Sequence, residues 1–427
     1  MRVYVYTLGC RLNQCESEAV ADSFSKSGFD VIKDYEKAEI IVVNTCTVTS
    51  KAEQKARRMI RLFSERAEVV IATGCYAEVN RKEVESLGDN VVIFSLAEKA
   101  SILTLPDHIE RMTLSGMKVL DAVKSFKKSE RSPFSFDAQS FAYHSRAYLK
   151  IQDGCDNSCG YCRTTIARGK SVFLEPSVVV ERVKKLEEEG FHEIMLTGVN
   201  LTNYDHDGEG LGGVMEKILS SCGSGIRLRL SSMEPDHVDD RLLDAISDKR
   251  VFPHFHIPIQ SASDHVLKIV GRNYSISHVE YIIKRLREIK DDPFIACDVI
   301  AGLPGEREED WKETFDFLSK NDFSAMHVFP YSPRPGTPLY NSKLKIEERV
   351  RDERALELRK LSERQSREYL ERQLGKSVEI IAEKNGEGTT GNYLKAKMIA
   401  PNDTLITEGG LYKGRITSIF PLEVSVE

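Results

Sequence analysis

The sequence predicts an α/β protein that ends in a small all-β domain. Short, continuously apolar strands alternate with helical stretches in two successive blocks, and after Gly375 the pattern changes to strand-like runs broken by Gly and Asn. Apolar strands separated by helices are typical of parallel sheets covered on both faces. The chain has 427 residues, 41% of them hydrophobic, which is enough for about three domains with their own cores. Disorder as the main state is excluded.

The first block runs from Met1 to about Leu96 and predicts a doubly wound parallel sheet. Its expected strands are Val3–Leu8, Glu39–Thr45, Val69–Thr73 and Val91–Phe94, and its expected helices are Glu16–Lys26, Ala52–Phe63 and Arg81–Leu87. Cys10, Cys46 and Cys75 each follow the end of a strand, where an open α/β sheet collects its ligands. The three thiols are therefore able to meet in space.

The second block predicts a partial or full (β/α) barrel. A polar, basic stretch from Lys124 to Pro133 has no periodicity and is expected to be a linker. Beyond it, the expected strands are Tyr148–Asp153, Glu193–Thr197, Arg227–Ser232, His254–Ile259, Phe294–Ile300 and Ala325–Phe329. The chemistry of such a barrel lies on the loops that follow its strands. The first of these loops contains Cys155, Cys159 and Cys162.

The remaining sequence predicts a long helix and a small all-β barrel. Ile346–Leu374 is rich in Arg and Glu, and mixed-sign runs are usually solvated helix faces. The strands expected after it are Ser377–Ala382, Leu394–Ile399, Thr404–Thr407 and Gly414–Phe420.

Charge and cysteine content narrow the class of function. Sixty Lys and Arg against 66 Asp and Glu give a net charge of −6, so the chain lacks the basic excess of a nucleic-acid coating protein. A nucleic-acid substrate remains allowed if basic residues gather locally. The sequence contains no apolar run long enough to span a membrane and no secretory signal pattern, so we expect a soluble, cytoplasmic protein. Nine cysteines in such a chain favour metal ligation or catalysis over disulfides.

Cys155, Cys159 and Cys162 form a C-x-x-x-C-x-x-C motif directly after a strand. Thiolates are the usual ligands of iron–sulfur clusters, and three thiolates on a four-iron cube leave one iron open. The alternative is a zinc knuckle or a set of redox thiols. A structural zinc site needs a fourth ligand close by, and the nearest candidate, His144, lies before the strand.

The motif CDNSCGYC resembles the signature of radical S-adenosylmethionine enzymes, and the whole chain resembles their methylthiotransferase branch. The resemblance implies an N-terminal methylthiotransferase domain (1–123), a linker (124–140), a radical domain (141–365) and a C-terminal TRAM domain (366–427). TLGC, NTCTVT and TGCYAE resemble the N-terminal cluster loops of the family. They imply one [4Fe-4S] cluster on Cys10, Cys46 and Cys75, while the CDNSCGYC cysteines hold a second, whose open iron binds S-adenosylmethionine.

Later strand ends also resemble cofactor-contacting segments of the family. The resemblance places Tyr161 against the adenine of S-adenosylmethionine and implies further contacts from Thr197, Gly198, Asn200, Ser232, Glu234, Gln260, Ser261 and Asp298. It implies no catalytic residue beyond the cluster ligands. Without the cysteine context, a Gly or Asn at a strand end is more often part of a turn than of a ligand site.

The chain departs from the family pattern at Arg163, Thr164, Thr165 and Ile166, where apolar residues and a proline are usual. We expect Arg163 to face solvent, with a phosphate or ribose contact as the alternative. Cys15, Cys222 and Cys297 are assigned no ligand role, because a free Cys most often acts as a small buried hydrophobe.

The segments TLGCRLNQCESE and NTCTVT resemble the threonylcarbamoyladenosine group of the family. This implies methylthiolation of C2 of N6-threonylcarbamoyladenosine at position 37 of a tRNA, with electrons from a flavodoxin or ferredoxin. The alternatives are an enzyme acting on isopentenyladenosine in tRNA or on an aspartate of a ribosomal protein, and an iron–sulfur RNA-binding factor without turnover. RNA binding by the β barrel would rest on a local patch of Lys395, Lys397, Lys413 and Arg415.

Overall fold

The computed structural model of the protein describes residues 1–400 and 405–426, and these form two compact units. The first contains Met1–Tyr143, Tyr148–Asp156 and Cys162–Val172; the second contains His144–Ala147, Asn157–Tyr161 and the described residues from Phe173 onward. The first is a doubly wound α/β unit, and the second combines (β/α) repeats with a small closed β barrel. The predicted fold class is confirmed.

The helices and strands follow the expected alternation. The α-helices are α1 (Arg11–Lys26), α2 (Ser50–Ser64), α3 (Cys75–Val79), α4 (Arg81–Glu85), α5 (Leu105–Leu114), α6 (Val119–Ser125), α7 (Thr164–Arg168), α8 (Pro176–Glu188), α9 (Leu211–Ser221), α10 (Asp240–Ile246), α11 (Asp264–Ile269), α12 (Ile276–Ile289), α13 (Glu308–Lys320) and α14 (Glu348–Gln373). Short 3₁₀ helices span Tyr35–Lys37, Lys99–Thr104, Leu201–Asn203, Pro235–His237 and Lys384–Gly386. The strands are β1 (Arg2–Thr7), β2 (Asp30–Val31), β3 (Ile40–Thr45), β4 (Val69–Gly74), β5 (Val91–Ile93), β6 (Ala147–Lys150), β7 (Gln152–Asp153), β8 (Val172–Phe173), β9 (Glu193–Thr197), β10 (Asp205–His206), β11 (Glu209–Gly210), β12 (Arg227–Leu230), β13 (His254–Gln260), β14 (Phe294–Ala301), β15 (Ala325–Pro330), β16 (Ser377–Ala382), β17 (Glu387–Thr390), β18 (Lys395–Ile399), β19 (Leu411–Ile419) and β20 (Leu422–Val426).

The sheet of the first unit has the strand order β2-β1-β3-β4-β5, with every neighbouring pair parallel. Alternate residues of its strands enter two separate cores. Ile40 and Val42 pack in one core, whereas Ile41 and Val43 pack in the other. Because successive side chains of a strand point to opposite faces, a strand covered on both faces reads as an unbroken apolar run. This explains why the sequence predicted these strands to within about one residue.

Helix α1 begins five residues before the expected start, at Arg11 rather than Glu16. The early part of the helix buries polar side chains, including Asn13, Glu16 and Ser17. These residues do not produce the apolar stripe by which an amphipathic helix is recognised in sequence. The extra turn places Cys10 at the N-cap of α1.

The second unit builds a partial barrel from parallel strands. β9 pairs with β12, and β13 pairs with β14, which pairs with β15. Single parallel bridges, Leu228 to Val251 and Ser232 to His256, connect the two groups. The carboxyl ends of these strands therefore lie along one edge. Helix α14 packs on β14 and β15 through a stripe that includes Ala355, Leu358 and Leu361.

The C-terminal strands close a barrel in the order β16-β17-β18-β20-β19. Its core contains Ile380, Met398, Ile416 and Val424. Strands β17 and β20 were not expected from the sequence. Of the expected strand Thr404–Thr407, Thr404 lies outside the described residues, and residues 405–407 do not form a strand.

Two arginines of β12 join this barrel to the rest of the second unit. Arg229 is fully buried, pairs with Glu193 at 2.6 Å and donates to the carbonyl oxygen of Gly391 at 2.8 Å. Arg227 pairs with Glu379 at 2.6 Å. Within the part of the chain that the structure describes, no helix is long and apolar enough to cross a membrane.

Candidate functional site

Cys10, Cys46 and Cys75 follow β1, β3 and β4, which are neighbours in the parallel sheet. The backbone around the thiols is closely packed. A Cβ atom on Gly9 would lie 2.9 Å from Sγ of Cys46, and one on Gly74 would lie 2.5 Å from the carbonyl oxygen of Thr45. Both glycines also have positive φ, 101° and 93°, which disfavours any side chain there. The fold therefore brings the cysteine loops together at one sheet edge.

The three thiols also affect one another's pKa electrostatically. Burial raises the pKa of the Cys46 thiol to about 12, and the neighbouring Cys10 and Cys75 act in the same direction. Three thiols that affect one another's pKa fit a site that binds them as thiolates, because a metal ion removes the cost of ionising them together. The donor set thus fits the iron–sulfur cluster that the resemblance implies.

A buried ion network lies beneath these loops. Oε1 of Glu16 is 2.8 Å from Nζ of Lys150 and 3.3 Å from Nη1 of Arg168, and its other oxygen pairs with Nζ of Lys99. Asp153 completes the network, with an oxygen 2.5 Å from Nζ of Lys150 and another 2.9 Å from Nη1 of Arg168. The side chains of Glu16, Lys99, Lys150 and Arg168 are all at most 3% exposed. The network therefore pairs three cations with two carboxylates inside the unit.

Arg168 connects the network to the thiols. Its Nε donates to Sγ of Cys75 at 3.4 Å, and its Nη2 donates to Oδ1 of Asn13 at 2.8 Å. The amide of Asn13 in turn donates to the carbonyl oxygens of Leu8 at 2.7 Å and Thr45 at 3.1 Å. One guanidinium and one amide thus contact the loops of all three N-terminal cysteines.

The loop that carries Cys155 is fixed at its start. The backbone N–H of Cys155 donates to the carbonyl oxygen of Gly169 at 3.1 Å, and a Cβ on Gly154 would lie 1.9 Å from the carbonyl oxygen of Lys170. Farther along, Sγ of Cys162 accepts a hydrogen bond from the N–H of Thr164 at 3.3 Å and donates one to the hydroxyl oxygen of Thr164 at 3.1 Å.

The expectation that Arg163 faces solvent is wrong. Its side chain is 5% exposed, and Nη1 donates to Oε1 of Glu53 at 2.7 Å and to the hydroxyl of Thr47 at 3.2 Å. Glu53 is itself buried at the start of α2, so it requires a cation. Arg163 supplies this cation, and the partner could not be foreseen from an exposed-looking polar run.

In the second unit, Cys159 contacts an arginine that the sequence did not single out. Nη1 of Arg272 donates to Sγ of Cys159 at 3.3 Å, while Nη2 pairs with Glu234 and donates to the carbonyl oxygen of Pro258 at 3.0 Å. Tyr161 packs beside this group with Val266 and Val270. Burial raises the pKa of Tyr161 well above its ordinary value, and Arg272 opposes that rise, so Tyr161 remains a neutral phenol.

Ser232 and Asp298 meet through His256. The Ser232 hydroxyl lies 2.7 Å from Nδ1 of His256, whose Nε2 lies 2.9 Å from Oδ1 of Asp298. Nδ1 of His327 lies 3.0 Å from the same oxygen. Burial alone would raise the pKa of Asp298, but these two imidazoles hold it well below its ordinary range. The donor atoms of His256, Asp298 and His327 lie within 4.8 Å of one another, but hydrogen bonds already account for the arrangement.

The other expected contact residues lie at or beyond the ends of their strands. Asn200 is buried next to Thr202, whose hydroxyl donates to the carbonyl oxygen of Glu234 at 2.9 Å. The Thr197 hydroxyl is buried and has no hydrogen-bond partner among the described residues, and Gly198 follows it, half-buried. Gln260 adopts a positive φ of 60°, and the hydroxyl of Ser261 lies 3.2 Å from that of Thr314. The unpaired Thr197 hydroxyl fits a site that a ligand completes.

Three further cysteines were expected to have no ligand role. Sγ of Cys15 donates to the carbonyl oxygen of Tyr148 at 3.4 Å, Cys297 is fully buried in β14, and Cys222 follows α9. The basic residues of the small barrel do not form an unopposed patch. Lys397 lies opposite Glu387 and Glu423 in the strand register, and Lys413 lies opposite Glu379.

Arg168, Arg272, His256 and His327 are the functional candidates that sequence reasoning missed. The histidines carried a weak signal, since each is a polar residue inside an apolar strand. The arginines carried none, because their sulfur and carboxylate partners are remote in sequence.

Comparison with known proteins agrees with this architecture. Residues 149–318 match the model of the radical SAM superfamily, and residues 2–95 match an uncharacterized protein family, UPF0004. The structure resembles a radical S-adenosylmethionine methyltransferase, TsrM, from Kitasatospora setae, with a TM-score of 0.55 over 79% of this chain and 77% of that one, at 12% identity. At that identity the likeness shows the fold alone.

Curated relatives cover nearly the whole chain. The threonylcarbamoyladenosine tRNA methylthiotransferase MtaB of Treponema pallidum is 34% identical over 97% of this chain and 98% of its own length. The corresponding protein of Bacillus subtilis is 32% identical over 94% and 91%. The chain belongs to the MtaB family of radical S-adenosylmethionine methylthiotransferases.

We expect Glu16→Gln to destabilise the first unit by about 3 to 5 kcal/mol, because it leaves three buried cations with Asp153 as their single carboxylate. Urea unfolding followed by circular dichroism measures this change. The matched control is Glu36→Gln at an exposed position, which should change stability by less than about 0.5 kcal/mol. Equal midpoints for the two variants would contradict the structural role of the network.

The raised pKa of Glu234 predicts that the stability of the protein depends on pH. Burial raises its pKa to about 7, although Arg272 acts in the opposite direction, whereas an unfolded Glu titrates near about 4.3. Between these values the folded state holds a proton that the unfolded state releases, so this stabilising contribution is complete at low pH and is lost as the pH rises toward 7.

The free energy of unfolding of the parent, relative to Glu234→Gln, should therefore fall by about 2 to 3 kcal/mol between pH 5 and 8. Urea titrations of the parent and the variant across this range measure the difference. A difference that stays constant would mean that Arg272 keeps Glu234 ionised throughout.

Proposed function

We propose that the protein is a tRNA-modifying enzyme that attaches a methylthio group to C2 of N6-threonylcarbamoyladenosine at position 37, next to the anticodon. The observation that carries this proposal is the convergence of Cys10, Cys46 and Cys75 at one sheet edge, in a chain that aligns over nearly its full length with relatives named for that activity.

The proposal assigns two [4Fe-4S] clusters and S-adenosylmethionine to the chain. Cys10, Cys46 and Cys75 bind one cluster, and Cys155, Cys159 and Cys162 bind the other. The corresponding division is a methylthiotransferase domain over 1–123, a linker over 124–140, a radical domain over 141–365 and a TRAM domain over 366–427. Close packing of the glycines around Cys46 and the hydrogen-bonded thiols of Cys159 and Cys162 support the ligand assignment.

The hydrogen on C2 of an adenine is not acidic, so a general base cannot activate this position by removing it. The bound cofactors supply the radical and sulfur chemistry that this position needs. The protein's own part is to bind and orient. Arg272 fixes Cys159 to the strand-end carboxylate Glu234, and the unpaired Thr197 hydroxyl is available to a ligand.

The strand-end residues complete the proposed cofactor site. Tyr161 supplies an aromatic surface for the adenine, and Ser232 and Asp298 present a hydrogen-bonded polar group at neighbouring strands. Thr197, Gly198, Asn200, Glu234, Gln260 and Ser261 make up the remainder of the proposed contacts. Orientation of bound reactants by such fixed groups is a major source of rate enhancement.

The partners in this proposal are a tRNA and a low-potential electron donor of the flavodoxin or ferredoxin type. We place the reaction in the cytoplasm, where thiols stay reduced. Among the alternative substrates, the names of the curated relatives favour threonylcarbamoyladenosine over isopentenyladenosine or a ribosomal protein. The acidic residues opposite Lys397 and Lys413 argue against a simple basic patch on the β barrel, so contact with tRNA extends beyond those lysines.

The direct test uses tRNA that carries threonylcarbamoyladenosine but no methylthio group. The protein is reconstituted anaerobically with iron and sulfide and is then incubated with this tRNA, S-adenosylmethionine and dithionite, and the nucleosides are analysed by mass spectrometry. We expect the methylthio derivative of threonylcarbamoyladenosine. A parallel incubation with isopentenyladenosine-containing tRNA is the specificity control. Modification of that tRNA alone would overturn the proposed substrate.

Cysteine variants separate the two cluster assignments. Cys159→Ala should abolish cleavage of S-adenosylmethionine, whereas Cys46→Ala should retain part of that cleavage and lose methylthiolation. Iron analysis should give about eight irons per chain for the parent and about four for a Cys10, Cys46 and Cys75 triple alanine variant, by the stoichiometry of two cubes. Cys222→Ala is the matched control and should resemble the parent. Normal cofactor cleavage by both single variants would show that the assignment is wrong.

A further inference from the structure

Arg168 is held against Cys75 by contacts around its whole guanidinium group. Nε donates to Sγ of Cys75 at 3.4 Å, Nη1 lies 2.9 and 3.0 Å from the two oxygens of Asp153, and Nη2 lies 2.8 Å from Oδ1 of Asn13. The side chain is 3% exposed. The N–H that donates to sulfur is therefore held in place by hydrogen bonds on the other two nitrogens of the same guanidinium.

The network behind Arg168 carries an excess of positive charge. Lys99, Lys150 and Arg168 contribute three cations, whereas Glu16 and Asp153 contribute two carboxylates. An uncompensated charge is costly in a buried site. Burial alone would lower the pKa of Arg168, but Asp153 and Glu16 hold it well above its ordinary value. Since an arginine does not lose its proton in a protein, the positive charge that Arg168 places beside Cys75 is permanent.

A cluster bound by the three thiols supplies negative charge on the sulfur side of Arg168. Three thiolates on an oxidised four-iron cube carry about one negative charge in excess, and one-electron reduction adds another. Arg168 is the member of the network that contacts a thiol. Its contact and its charge both favour the more negative, reduced state, because hydrogen bonds to ligand sulfur and nearby positive charge stabilise added electron density.

We propose that Arg168 is a positioning residue that raises the reduction potential of the cluster bound by Cys10, Cys46 and Cys75. This inference rests on the proposed function, since it assumes a cluster at those thiols. Arg168 lies six residues after Cys162 in the chain, and its partner Asp153 lies two residues before Cys155. The contact that sets the potential of the N-terminal cluster is therefore made and held by residues that flank the second cysteine motif.

The test isolates one cluster in the full-length chain. Cys155, Cys159 and Cys162 are replaced by Ala, so that the remaining iron belongs to the N-terminal cysteines, and the potential is measured by a redox titration monitored by electron paramagnetic resonance. In this background, Arg168→Gln should lower the equilibrium constant for one-electron reduction at least tenfold, which is a shift of about 59 mV to lower potential.

Two further variants separate charge from the sulfur contact. Lys99→Gln removes one charge from the same network without removing a donor to sulfur, and should shift the potential less than Arg168→Gln does. Arg168→Lys keeps the charge but loses the planar donor, and should shift the potential in the same direction by a smaller amount. If Arg168→Gln holds no iron, the Arg168→Lys potential decides between a lower value, which supports the proposal, and an unchanged value, which overturns it.

An equilibrium constant for reduction of Arg168→Gln less than tenfold below that of the background, or equal to that of Lys99→Gln, would overturn the role of Arg168. Absence of iron from the background chain itself is a different result. It would refute the cluster assignment in the proposed function, and iron analysis of every sample distinguishes the two failures.

Discussion

The arrangement of the cysteine loops in the first unit depends on the ion pairs that the carboxylate of Glu16 forms. This carboxylate meets Lys99, Lys150 and Arg168 in a site that is almost closed to water. Replacing such a network with apolar side chains is often neutral or favourable for stability, so stability does not explain it. We infer that its value lies in orientation, because it fixes Arg168 and Asn13 between the loops that carry Cys10, Cys46 and Cys75.

The second unit uses smaller polar groups for the same purpose. Arg272 joins Cys159 to Glu234, and His256 joins Ser232 to Asp298. Each group spans neighbouring strand ends, so a shift of one strand would break it. Rigid strand ends of this kind are the positions from which barrel folds place their ligand contacts. The Thr197 hydroxyl, buried without a partner among the described residues, remains available in that setting.

Much of the fold followed from the sequence because its strands are buried on both faces. Strands β3, β4 and β9 are buried along their whole length, and β14 is apolar except for Asp298. The ends of all four were predicted to within about one residue. Helix α1 was predicted too short because its first turns bury Asn13 and Glu16 for the ion network. The short strands β2 and β17 had no pattern strong enough to be recognised, since pairing with neighbours rather than local sequence defines them. Strand β20 does alternate apolar and polar residues but was not predicted.

Residues of the candidate site could be predicted only where they lie in short, recognisable sequence motifs. The six proposed ligand cysteines were singled out by their motifs, and Ser232, Glu234 and Asp298 by the resemblance of their segments to the family. Arg163, Arg168 and Arg272 act through partners that are remote in sequence, Glu53, Cys75 and Glu234. Ion pairs and N–H to sulfur contacts of this type depend on which residues the fold brings together. No local pattern in a single sequence indicates them.

We propose, above all, that Cys10, Cys46 and Cys75 bind a cluster of their own, in addition to the cluster bound by Cys155, Cys159 and Cys162. Iron anomalous diffraction from anaerobically grown crystals of the reconstituted protein tests it most directly. The account predicts one iron peak bounded by Cys10, Cys46 and Cys75, with Arg168 beside Cys75, and a second peak at Cys155, Cys159 and Cys162. A single peak at the second motif, with the three N-terminal thiols free of iron, would contradict it.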